Sequence, residues 1–318
     1  GSEMCIRDRH KRTKTNTRYK TPPGPEFLEA LPKTPDPIGF LTSLRQRYGD
    51  VVRFETVYDP YLFFNHPEHV KEIVCSENFR RIAPHSLVLG DGLLTSNGNY
   101  WRQNRKLAQP AFRQNRVPQL ASVATEMTET TMAEWQRLAD EKEPVDITVE
   151  MTTLTLKIIA KTLYSIDLGD QAKELVSAIT LSTVELGKLT NSIYSSSVSI
   201  RNMPFFRNER FEAAVQTIDD FAYGLIANRR SLRDQPDDLL ALLLSTRSES
   251  TGEALTERQL RDEIVTLLVA GHETTSLVLS WAWYLLANHP NVESRLHEEW
   301  DRVLGGRNVS LEDLDDLK

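Results

Sequence analysis

The chain has 318 residues, enough to bury a sizeable core in one large or two ordinary domains. Its 40% hydrophobic and 26% charged residues are the make-up of a soluble globular protein and exclude a disordered or fibrous one. The net charge of −7 is uneven: seven Lys or Arg crowd residues 1–20, leaving a body with 31 basic and 43 acidic residues, ill suited to general nucleic-acid binding.

No apolar run follows the basic start, so it is not a secretory signal. Residues 1–21 read as a disordered basic leader or an artefact of gene assembly, a basic arm for nucleic acid or anionic lipid being the lesser alternative. The domain is expected over 22–318. The two cysteines, Cys5 and Cys75, can build neither a disulfide framework nor a multi-thiolate metal site. They suit a reducing compartment, and a cytoplasmic protein is expected.

"TPPGPEF" (21–27) is extended, because Pro22, Pro23 and Pro25 forbid a continuing helix. Residues 36–50 predict a short amphipathic helix ending near Gly49. Residues 51–65 predict two strands around a Tyr-Asp-Pro turn. Pro67 begins the next helix. A further helix starts near Asn99 and stops near Pro110. Helical periodicity continues over 119–140, 146–165, 171–198, 209–233 and 237–248. The longest helix is expected from Thr256, which stands at capping-box spacing from Gln259, to His289 before Pro290. Residues 291–306 follow as an amphipathic helix with a Gly-Gly stop. The fold class is therefore mainly α, with a long central helix and a small N-terminal β-sheet.

The long helix carries an anomaly: "LLVAGHETTSLVLSWAWYLL" (267–286) places Gly271, His272, Glu273, Thr274 and Thr275 in the middle of an apolar run. A transmembrane span is disfavoured, because a mid-membrane carboxylate costs about 2.5–3.5 kcal/mol and the flanks lack a Lys/Arg bias. A zinc protease motif fails, because Ser276 stands where the second His is needed. A core helix with satisfied polar groups is the bland reading. The functional one is a groove: the Thr274 hydroxyl can bond the Ala270 carbonyl and loosen the helix, while Gly271 lets something approach the backbone.

"AGHETTS" resembles the I-helix signature of the cytochromes P-450, [AG]-G-x-[DE]-T-[TS], at Ala270, Gly271, Glu273, Thr274 and Thr275. A second match is Trp101 and Arg105 in "GLLTSNGNYWRQNRKLAQPAF", similar to the family's C-helix W-x-x-x-R. The i, i+4 spacing puts indole and guanidinium on one face, where both can donate to carboxylates. The resemblance covers roughly 22–318 and implies a cytochrome P-450 fold, a haem cofactor and insertion of one oxygen atom from O2 into a small lipophilic substrate. By it, Glu273 and Thr274 are catalytic, relaying protons and serving bound oxygen. Trp101 and Arg105 hold the haem propionates, and Ala270 and Gly271 lie against the haem. Substrate contacts come from about 82–97, 171–205 and the I helix.

NAD(P)H electrons are implied to arrive through a ferredoxin, flavodoxin or reductase. Arg102, Lys106, Arg113 and Arg116 make the C-helix segment basic, as a docking face for an acidic electron donor or as a merely solvated face. Neither a transmembrane segment nor nucleic-acid binding is expected. The family's Cys loop, F-x-x-G-x-R-x-C-x-G, is absent from the sequence, so no metal ligand is assigned and the fold is expected to be incomplete. Cys75 sits in "EIVCSEN", without the glycines of that loop. E-x-x-R spacing occurs at Glu77–Arg80, Glu134–Arg137 and Glu299–Arg302, all ahead of the expected K helix and read as local pairs. By itself the chain is expected to be inactive; the alternative is a non-catalytic helical binding protein that keeps the fold without the haem site.

Overall fold

The computed structural model describes residues 21–25, 36–55, 60–81, 84–190, 209–247 and 252–318. The basic leader with Cys5, the Tyr-Asp turn before Pro60, and residues 191–205 of the expected substrate region lie outside them.

The chain divides into two compact units, residues 1–79 with 190–200, and residues 80–189 with 201–318. In the first, α1 (Pro37–Tyr48) starts from an Asp36 cap that accepts from the Gly39 N–H at 2.8 Å. β1 (Val51–Glu55) and β2 (Pro60–Phe64) pair antiparallel, Val51 opposite Phe64 and Val52 opposite Phe63. Val52 and Leu44 of α1 are buried, and Phe54 stands edge-on to Phe40 and stacked on Tyr61. α2 (Pro67–Cys75) has Pro67 at its start and no buried residue.

The second unit is helical among its described residues. A four-residue turn, α3 (Ser86–Leu89), precedes α4 (Gly98–Ala108), which tightens into 3-10 turns up to Arg116. Then come α5 (Val117–Glu141), α6 (Ile147–Tyr164), α7 (Gln171–Thr190), α8 (Glu209–Ser231) and α9 (Leu239–Ser245). α10 (Glu257–Asn288) and α11 (Pro290–Leu304) complete the helices. The expected Thr256–Gln259 capping box is formed, satisfying backbone donors that a helix start leaves orphaned.

α10 is the axis of this unit. Its residues 260–269 are all buried, packed principally against α6 and also against α8 and α9. The core around it includes Leu156, Ala160, Ile218, Ile226, Leu240 and Ile264. By length and composition α10 is long and apolar enough to cross a membrane. Its first half is instead the core of the unit. Its second half exposes Leu277, Val278, Trp281, Trp283, Tyr284 and Leu285.

A buried ion pair ties the helices together. Arg229 of α8 donates to both carboxylate oxygens of Asp238 at 2.9 and 2.8 Å, with both side chains almost fully buried. Asp238 also caps α9 through the Ala241 N–H at 2.9 Å.

Candidate functional site

The anomalous turn lies just past the buried half of α10, and the helix runs through it unbroken. The interruption is chemical rather than conformational. The Thr274 hydroxyl donates to the Ala270 carbonyl at 3.2 Å, as expected, and the Thr275 hydroxyl donates likewise to Gly271 at 3.3 Å.

Ala270, Thr274, Leu277, Val278 and Trp281 recur at helical spacing and are all exposed, forming one face with a hydroxyl in an apolar stripe. Glu273, one residue round the helix, is half-buried.

Gly271 has a close packing neighbour on the side a Cβ would take. A Cβ placed there would meet Ile159 Cγ1 at 2.7 Å and Cδ1 at 2.8 Å. The missing side chain lets α6 close on α10 on that side.

His272 points into the core and is 2% exposed. Its Nδ1–H donates to the Leu268 carbonyl at 2.9 Å. Burial lowers its pKa from the ordinary 6.5, against the opposing pull of that bond and of Glu273. The buried Thr155 hydroxyl of α6 donates to the His272 carbonyl at 3.1 Å, pinning the turn from the core side. The turn is thus two-faced, with a locked core side and an open side carrying Thr274.

On α4, Trp101 is half-buried and Arg105 exposed, and the Arg105 guanidinium lies 5.4 Å from the Trp101 ring centroid. The i, i+4 spacing has brought the pair together as a cation–π contact. Among the described residues no hydrogen bond or ion pair joins this pair to the 270–275 turn. Of the basic residues beside it, Arg116 is tied to Asp237 at 2.7 Å and Arg102 bonds Asn99 at 2.8 Å. The Arg116 guanidinium is therefore held within the fold. Cys75 is exposed on α2, and no group of three or more metal-binding side chains occurs among the described residues. Glu134–Arg137 and Glu299–Arg302 are ion pairs between neighbouring positions of one helix, at 2.7 and 3.7 Å.

A cluster that sequence reasoning missed lies between two and three turns before Gly271. Arg261, Asp262 and Glu263 are all buried, and each reaches segment 88–95. The sequence did hold a signal: three consecutive charges at the start of an apolar helix, and a Gly-Asp-Gly at 90–92 able to come close to them.

Residues 20–318 match the family model described as Cytochrome P450. The chain is similar to cyclooctatin synthase of Streptomyces melanosporofaciens, 30% identical over 91% of this chain and 63% of that protein. It is also similar to pentalenene oxygenase of Streptomyces avermitilis, 28% identical over 88% of this chain and 62% of the relative. A third relative is bifunctional cytochrome P450/NADPH–P450 reductase 1 of Bacillus subtilis, 30% identical over 83% of this chain and 26% of that protein. The chain spans about three-fifths of the length of the first two relatives.

Proposed function

The chain belongs to the cytochrome P450 family, and on that premise we propose that the complete protein is a haem-dependent monooxygenase inserting one oxygen atom from O2 into a small lipophilic substrate. The observation that carries this reading is the two-faced turn of α10: a hydroxyl on an exposed apolar face, with a carboxylate beside it. The names of the relatives, among them a pentalenene oxygenase and a cyclooctat-9-en-7-ol 5-monooxygenase, support oxygen insertion.

Haem, when bound, supplies the oxygen activation. The residues present fit part of what it needs. Trp101 Nε1–H and the Arg105 guanidinium are donors suited to carboxylates, and among the described residues Arg105 forms no ion pair that would have to break first. Among the described residues the only cysteine, Cys75, sits on an exposed helical surface and is not taken as the thiolate that would hold the iron.

The chain's own residues then do three things. Thr274 spends its proton on the Ala270 carbonyl and leaves its oxygen lone pairs on the open face, able to accept a proton and pass one on. Glu273 stands next to it as the group that can supply that proton. Leu277, Val278 and Trp281 make this exposed face apolar, which favours a lipophilic substrate. NAD(P)H electrons would enter through a ferredoxin, flavodoxin or reductase docking near Arg102, Lys106 and Arg113, and the reading places the protein in the cytoplasm.

The 318-residue chain by itself is taken to bind no thiolate-ligated haem and to have no monooxygenase activity. Reduction under carbon monoxide tests both points. The 318-residue chain should give no Soret band at the family's characteristic position, and an extension carrying the Cys loop should give it. A thiolate-type band from the short chain would overturn the inactivity. Coding sequence beyond Lys318 that stops without an E-x-x-R and a Cys loop would overturn the monooxygenase reading.

A further inference from the structure

Segment 88–95, which joins α3 to α4, is fastened to the buried half of α10 by four hydrogen bonds. Arg261 donates to the Val88 carbonyl at 2.7 Å, and the Thr266 hydroxyl reaches the Leu89 carbonyl at 3.4 Å. In the other direction, the Asp91 N–H donates to Asp262 Oδ2 at 2.9 Å and the Leu93 N–H to Glu263 Oε2 at 3.2 Å. The segment lies so close that a Cβ on Gly90 would fall 1.9 Å from the Asp262 carboxylate, and one on Gly92 2.2 Å from Thr266 Oγ1. Gly90 also has a positive φ of 66°, which favours glycine for a second reason. Inside the segment, Thr95 Oγ1 bonds the Gly90 carbonyl at 2.7 Å and so holds the loop's shape.

The two carboxylates are not equivalent. Asp262 has a cation beside it, Arg261 at 3.1 Å, and Arg261 is in turn anchored to Asp219 of α8. Glu263 is 2% exposed, and among the described residues its Oε1 has no hydrogen-bond partner. The titratable groups facing it are Asp262 on α10, itself paired with Arg261, Tyr100 on α4 and Tyr164 on α6. Tyr164 is itself spent on the Ile264 carbonyl at 2.9 Å, and beyond it lies the Arg229–Asp238 pair. No cation among these pairs with Glu263. A buried carboxylate that accepts one hydrogen bond and faces a second carboxylate is costly to keep ionised.

We infer that Asp262 and Glu263 are positioning residues that clasp segment 88–95 onto α10, and that proton occupancy at Glu263 sets how firmly the clasp holds. That this segment touches substrate rests on the monooxygenase reading; the clasp itself does not. Burial first, and Asp262 after it, outweigh the Leu93 bond and push Glu263 up to about 7 from 4.5. Opening the segment would let water reach the carboxylate and return it toward its ordinary value. The closed state therefore binds the proton more tightly, so acid tightens the clasp and a rise in pH through 4.5–7 loosens it.

Amide hydrogen exchange on the 318-residue chain, corrected for the intrinsic pH dependence of exchange, reads this directly. The Asp91 and Leu93 amides should exchange faster than amides of the α6 core. Their protection should fall about twentyfold between pH 5.5 and 7.5, as linkage requires for a shift from 4.5 to about 7. Glu263→Gln keeps an acceptor for Leu93 and should flatten the fall to less than twofold. Asp262→Asn removes the neighbouring negative charge and should move the fall to lower pH. Equal protection at both pH values, exchange of these two amides only at the rate of the core, or an unchanged fall in Glu263→Gln would each overturn the inference. The wild-type pH series decides the matter alone if a variant does not fold.

Discussion

Replacing Gly271 with Ala tests what that glycine is for. In an exposed helix interior Gly→Ala is worth about 1 kcal/mol of stability. Here the new methyl would stand 2.7 and 2.8 Å from two carbons of Ile159, well inside van der Waals contact. Ile is β-branched and stiff at χ1, so it cannot swing aside freely. Overpacking of this kind costs about 1–3 kcal/mol. The net expectation is a loss of roughly 0–2 kcal/mol for Gly271→Ala in the wild-type background, after subtracting the helix gain of about 1 kcal/mol.

The same change in an Ile159→Ala background should reverse sign. With Ile159 truncated the clash is gone and the propensity gain of up to about 1 kcal/mol remains. Urea unfolding of the four proteins in this cycle gives the coupling between the two sites, expected at about 1–3 kcal/mol. If Gly271→Ala stabilises the wild type, or costs the same in both backgrounds, Ile159 is not what requires the glycine. The open Thr274 face would then be the place to look.

Two further outcomes are expected. Asp238→Ala should destabilise the chain by about 3–5 kcal/mol in urea unfolding, because it strands the buried Arg229 charge and uncaps α9. Asp238→Asn should regain about 1 kcal/mol through the cap, and a loss below 1 kcal/mol in Asp238→Ala would refute the buried pair's importance. His272 and Glu263 should pull stability in opposite directions with pH. The depressed pKa of His272 gives stability that is present above about 6.5 and lost as pH falls. The raised pKa of Glu263 gives stability that is present below 4.5 and lost as pH rises toward about 7. Urea midpoints at pH 5, 6 and 7 should therefore show His272→Gln shallower on the acid side. A steeper acid loss in that variant would contradict a neutral, buried ring.

Much of this protein was legible from residues near one another in the chain. The Thr256–Gln259 box, Pro67 at a helix start, the β1–β2 pair, the Trp101–Arg105 contact and the Thr274–Ala270 bond all join residues a few positions apart or in one hairpin. Such interactions follow from helix and strand geometry alone, so spacing suffices to anticipate them. The two motifs that carry the family resemblance are of this local kind.

Arg261, Asp262 and Glu263 are three consecutive charges near a helix start, yet all three are buried, because a loop some 170 residues earlier supplies partners for them. The basic run on and after α4 reads as one patch, but Arg116 is engaged by Asp237, far along the chain. Gly271 also admits Ile159 of α6, a close packing contact that no spacing along the chain announces. The sequence by itself determined most of the helices, the Thr256–Gln259 cap, the family and the residue types of the 270–275 turn, since each depends on periodicity and near neighbours. Which side of that turn is sealed, which charges are buried and which segment they hold were decided only by tertiary packing, because those contacts form between residues that become neighbours when the chain closes on itself.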